Sequence, residues 1–119
     1  MEYGGFMQKS YYNNAITGNS AMLATFSDRA ELLRLFWPNI DYMQQFDKLF
    51  CGIYIKNVNG STVWLNDHRC EHQQEYIADT NVVKSTIINY FNGYRVIMYD
   101  FVYPDIDVLV RKCEIENLS

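Results

Sequence analysis

A chain of 119 residues is long enough for one small domain with its own core, because about two-thirds of the unfolded surface can be buried at this size. The net charge of −4, with ten scattered Lys and Arg, excludes a nucleic-acid surface, which needs clustered positive charge. No apolar run approaches the roughly 20 residues of a membrane-spanning helix, and the 49% hydrophobic content argues against disorder.

The 16% aromatic content, with ten tyrosines, leans towards β-structure. Three widely spaced cysteines, Cys51, Cys70 and Cys113, do not form a disulfide framework and read as reduced, partly buried thiols. The start of the chain has neither a basic segment nor an apolar signal core, so the default location is the cytoplasm.

Residues 1–12 read as a flexible leader, and residues 13–119 as a β-sandwich domain or the first part of one. Residues 13–20 carry turn residues, with the bend at Gly18-Asn19. Residues 21–26 and 31–37 are predicted as two strands of a hairpin, joined across Ser27-Asp28-Arg29-Ala30. Residues 29–36 also contain good helix formers, but the run is short and Pro38 ends it, so the strand is preferred. Residues 47–56 and 61–66 form a second pair around the Asn59-Gly60 turn, followed by a polar stretch over 67–74. The strongest pattern is the pair of β-branched and aromatic runs at 81–90 and 94–103, joined at Asn92-Gly93. A last strand covers 106–115. Seven to nine short strands with a turn about every ten residues predict an all-β, antiparallel β-sandwich.

Within this pattern, the stretch 31–46 changes from an apolar strand into a polar, aromatic loop at Trp37-Pro38. Pro38 lacks an N–H and biases Trp37 towards an extended conformation, which places Trp37, Asn39, Asp41 and Tyr42 at a sheet rim. Aromatic faces beside a carboxylate suit a sugar, whose C–H faces stack and whose hydroxyls hydrogen-bond. An ordinary loop closing a buried strand accounts for the same residues. His68, Cys70 and His72 alternate as three ligand types on one face of an extended segment, yet structural zinc takes four ligands and Arg69 and Glu71 mark a solvated loop. No metal site is assigned, no cofactor-binding glycine loop is present, and no catalytic residue stands out among the carboxylates.

The order of several segments carries a resemblance. Gly18-Asn19-Ser20, then Leu35-Phe36-Trp37-Pro38-Asn39-Ile40-Asp41, then Tyr76-Ile77-Ala78-Asp79-Thr80-Asn81, then the run from Asp100-Phe101 to Val110-Arg111 resemble the N-terminal β-sandwich domain of bacterial glucoamylase-like enzymes of glycoside hydrolase family 15. The resemblance covers roughly residues 13–116. It implies part of a larger supersandwich that packs against an α/α-barrel domain, which holds the two catalytic glutamates and is absent from this chain. It implies a hydrolase of α-linked glucose oligosaccharides that is inactive in this portion alone. Trp37, Asn39, Asp41 and Tyr42 are then expected at the contact with the barrel or at the rim of the substrate site. A half-covered sandwich would also self-associate through its exposed sheet face. The alternative is a free-standing carbohydrate-binding or assembly module.

Overall fold

The computed structural model describes residues 13–46, 48–56 and 60–118; the leader expected over 1–12 lies outside them. Among the described residues there are ten strands, all antiparallel, in three sheets. The first sheet is β1 (Ala15–Gly18), β2 (Leu23–Phe26), β3 (Leu32–Phe36) and β4 (Gln44–Phe46), in that order. A two-stranded hairpin follows, β5 (Gly52–Ile55) with β6 (Ser61–Trp64). The second large sheet has β7 (Glu71–Tyr76), β8 (Val83–Asn89), β9 (Tyr94–Val102) and β10 (Leu109–Asn117), also side by side in chain order.

The all-β architecture matches the expectation, with one strand more than the top of the predicted range. Residues 13–20, read as a turn, hold β1. Only Ala15 and Thr17 face inward there, too few and too small to show as an apolar alternation, and the Thr17 hydroxyl accepts a hydrogen bond from the Val102 N–H at 3.2 Å. The polar stretch 67–74 becomes β7 in its second half. Its polarity is that of an edge strand, where Glu71, Gln73 and Glu75 face solvent and oppose pairing with a further strand. Gln74 turns inward and donates to the Ser27 carbonyl at 2.9 Å and the Ser85 hydroxyl at 3.0 Å.

β8 and β9 bury every second side chain and form the floor of the core. The first sheet covers one half of that floor, where Ala24, Phe26, Leu32 and Leu35 meet Val83 and Val102. The β5–β6 hairpin covers the other half, where Ile53, Ile55 and Val63 pack over Ile87, Val96 and Met98. The second layer of the sandwich is therefore split in two. Each fully buried aliphatic or aromatic side chain contributes about 1.5–3 kcal/mol. The turns are built locally: Gly93 takes a φ of 75° between β8 and β9, and the Asn89 side chain accepts from the Asn92 N–H at 2.9 Å. The three thiols are free, Cys70 buried, Cys51 half-buried and Cys113 exposed.

Candidate functional site

The Trp37 loop follows directly from the end of β3, as the sequence pattern anticipates. The Trp37 indole is 46% exposed, and its N–H donates to Asp107 at 2.8 Å, linking the β3–β4 loop to the β9–β10 loop. Asn19 completes the tie. Its amide donates to the Tyr103 carbonyl at 3.0 Å and to the second Asp107 oxygen at 3.2 Å. Its side-chain oxygen accepts the N–H groups of Ala21 and Met22, each at 2.8 Å. One asparagine thus fixes three loops at one end of the sandwich.

Asn39 shapes the rest of the loop, its side chain accepting from the Asp41 N–H at 2.8 Å and its carbonyl from the Tyr42 N–H at 3.2 Å. Asp41 and Tyr42 face solvent, and among the described residues no side chain bonds the Asp41 carboxylate. The four predicted residues share one loop, but only Trp37 is anchored to another element. Asn19 and Asp107, which do the anchoring, were not singled out as site residues. Asn19 reads only as part of a bend before an apolar strand, and Asp107 reads as part of the last strand over 106–115, whereas β10 begins at Leu109 and leaves Asp107 in the β9–β10 loop.

A second concavity lies at the opposite end of β9. It is a groove of about 520 Å³ lined by Thr62, Trp64, Asp67, Arg69, Phe91 and Asn92 among others. Trp64 is 48% exposed and braced edge-to-face by Phe50 at 5.4 Å between centroids, while Phe91 at the β8–β9 turn is 95% exposed. Asp67 accepts from Arg69 Nη2 at 2.7 Å and from Arg69 Nε at 3.1 Å. This paired guanidinium holds the Asp67 carboxyl well below the usual carboxylate range. Aromatic faces beside a fixed array of polar donors and acceptors form a surface suited to a polyhydroxylated ligand.

The His68, Cys70 and His72 side chains do not converge. His68 is exposed beside Asp67, Cys70 is buried against Asn89, and His72 Nε2 lies 2.6 Å from the Leu65 carbonyl. Among the described residues no group of His, Cys, Asp and Glu is arranged to hold a metal ion. Burial pushes the Cys70 thiol up, which makes it a poor nucleophile.

The buried ionic pair Asp100–Arg111 stands between the two halves of the core, the Arg111 Nε being 2.6 Å from Asp100. Burial pushes the Asp100 carboxyl up, against the pull of Arg111. Beside the pair, under β3, is a cavity of about 290 Å³ walled by Leu32, Leu35, Leu49 and Leu109. Asp100 and Arg111 line the cavity together with these apolar side chains, and their mutual pairing gives them the character of a structural element.

No protein-family model matches this sequence, and no solved structure matches it. The chain is 30% identical over 106 residues, or 89% of its length, to a protein of Methanocaldococcus jannaschii described as an uncharacterized glycosyl hydrolase. It spans 16% of that relative's own length, and so is a distant homologue of one small part of a glycosyl hydrolase-like protein.

Proposed function

We propose that this chain is a non-catalytic N-terminal β-sandwich portion of a glucoamylase-like glycoside hydrolase of family 15. In this reading it packs against an α/α-barrel catalytic domain that acts on α-linked glucose oligosaccharides. The observation that carries it is the correspondence of 89% of this chain to 16% of a much longer protein described as a glycosyl hydrolase. The Trp37 loop supports the rest, since Trp37, Ile40, Tyr42 and Met43 leave an apolar, aromatic surface on a loop anchored through Asp107. Trp37, Asn39, Asp41 and Tyr42 then form the contact with the barrel or the outer rim of its substrate site.

The test is binding to a separately produced α/α-barrel domain of a family 15 enzyme, measured by calorimetry. Saturable binding weakened by Trp37→Ala is expected, and no binding at high micromolar concentration would overturn the reading. Glucose release by the chain alone from maltooligosaccharides should not exceed background.

A free-standing carbohydrate-binding module is the second reading, favoured by the groove between Trp64 and Phe91. Maltooligosaccharide titration separates the two. Quenching of Trp64 emission by sugar in the isolated chain supports the module, and an unchanged spectrum supports the domain-packing role.

A further inference from the structure

We propose that Cys51 and Cys113 form a reversible intramolecular disulfide that clamps the β5–β6 hairpin onto β10. This inference is independent of the glycosidase reading. Both thiols are free, Cys51 half-buried and Cys113 exposed. β10 places Leu109, Arg111, Cys113 and Ile115 opposite Val102, Asp100, Met98 and Val96, so these side chains share the core-facing side of the sheet. The segment leading into β5 runs above that row. Leu49 borders the cavity with Leu109 and Arg111, the Cys51 sulfur accepts from Arg111 Nη1 at 3.6 Å, and Ile53 and Ile55 pack on the cluster of Val96 and Met98. Cys51 packs against that same cluster while bonded to Arg111, two residues before Cys113. The two thiols are therefore neighbours across the gap between the layers.

A disulfide needs Cα atoms about 4.4–6.8 Å apart, less than the roughly 10 Å between stacked sheets. Two features let the layers meet here. Cysteine is the smallest side chain in either row, between Leu49 and Ile53 above and between Arg111 and Ile115 below. The hairpin is also a separate two-stranded sheet, and among the described residues its strands pair with neither large sheet. Its approach to β10 is resisted by side-chain packing rather than by a ladder of hydrogen bonds. Partial burial and, next, the neighbouring Cys51 thiol push the Cys113 thiol up. A raised thiol attacks slowly, which keeps the pair reduced until a disulfide oxidant is present. That oxidant is a small-molecule disulfide such as oxidised glutathione. Cys113 loses its proton and attacks one glutathione sulfur, releasing one glutathione thiol. Cys51 then loses its proton and attacks the Cys113 sulfur of the mixed disulfide, releasing the second. Two protons and two electrons pass from the pair to the glutathione.

The experiment is incubation of the whole folded chain with oxidised glutathione, then acid quenching and peptide mapping by mass spectrometry. A Cys51–Cys113 link within one chain is expected, formed about tenfold faster than in the urea-unfolded chain because folding holds the two thiols together. Dithiothreitol should reverse it. The linked chain should unfold at a higher denaturant concentration than the reduced one. Cys70→Ser should leave the link unchanged, and Cys51→Ser should stop the reaction at a glutathione adduct on Cys113. Circular dichroism checks that each variant is folded, and the parent's peptide map decides even where a variant unfolds. An unlinked parent chain, links to Cys70 or links only between chains would overturn the proposal. So would pairing as fast in urea as in the native state, or a link that fails to raise the unfolding midpoint.

Discussion

The Arg111 guanidinium grips Asp100 at 2.6 Å and so fastens together the two halves of a divided core. It also lies over the Phe26 ring, 5.8 Å from its centroid, in the half covered by the first sheet. Its other nitrogens donate to the Ala30 carbonyl at 2.9 Å and to the Cys51 sulfur at 3.6 Å, at the boundary with the β5–β6 hairpin. Removing one partner leaves an uncompensated charge in an apolar setting. Asp100→Ala should therefore cost about 3–5 kcal/mol, a large share of the stability of so small a domain. Replacing both with apolar residues, Asp100→Leu with Arg111→Met, should recover more than half of that loss in chemical denaturation. A double variant no more stable than Asp100→Ala would show that the pair does more than satisfy its own charges.

The Trp37–Asp107 hydrogen bond is a smaller lever, because the indole is about half exposed. Trp37→Phe keeps most of the ring and removes the N–H, and should cost about 1 kcal/mol. Asp107→Ala removes the acceptor of both Trp37 and Asn19 and should cost more. In a double-mutant cycle the two changes should be non-additive, since they break the same bond. Additive losses would mean that the loop is held by packing alone.

Much of this architecture is legible before any coordinates. The runs that became β8 and β9 are rich in β-branched and aromatic residues, and Asn92-Gly93 supplies the positive φ their turn requires. β1 and β7 were not legible, for opposite reasons. β1 buries only an alanine and a threonine, and β7 is an edge strand whose outward side chains are charged or polar. The Trp37 loop is visible from Pro38, while its anchors are not: Asn19 and Asp107 are 88 residues apart, and sequence patterns of short range do not report such a contact. The Asp100–Arg111 pair is hidden likewise. Arg111 looks like an interruption of an alternating strand until β9 places a carboxylate opposite it.

Glu31 gives the fold a dependence on pH whose sign is fixed by its surroundings. Burial pushes its carboxyl up, but Asn66 at 2.6 Å, Lys48 at 3.0 Å and Ser27 at 2.9 Å outweigh that and hold it below the ordinary glutamate value. A carboxyl lowered on folding stabilises the native state above its unfolded value, about 4.5, and loses that contribution as pH falls through the folded value. Asp67 acts in the same direction, and Asp100, pushed up by burial, acts against them. Glu31→Gln isolates the Glu31 share. The variant should be less stable than the parent at neutral pH, and the gap should close as the solution is acidified from about pH 5. A gap that stays constant or widens in acid would refute the assignment.

Gly52 sits beneath the indole of Trp64, its cross-strand partner in the β5–β6 hairpin. A Cβ at Gly52 would lie 2.7 Å from Trp64 Cε3 and 3.1 Å from Thr62 Cγ2, closer than van der Waals contact allows. The ring can escape only by leaving its edge-to-face contact with Phe50. Gly52→Ala should therefore cost about 1–3 kcal/mol by overpacking and tilt Trp64 out of the groove it shares with Phe91. With only two tryptophans in the chain, a Trp37→Phe background leaves Trp64 as the sole emitter. In that background Gly52→Ala should shift the emission to longer wavelength and raise the accessibility of Trp64 to acrylamide. An unchanged spectrum with unchanged stability would mean that Trp64 is not packed on the glycine, and would remove the brace that shapes the groove.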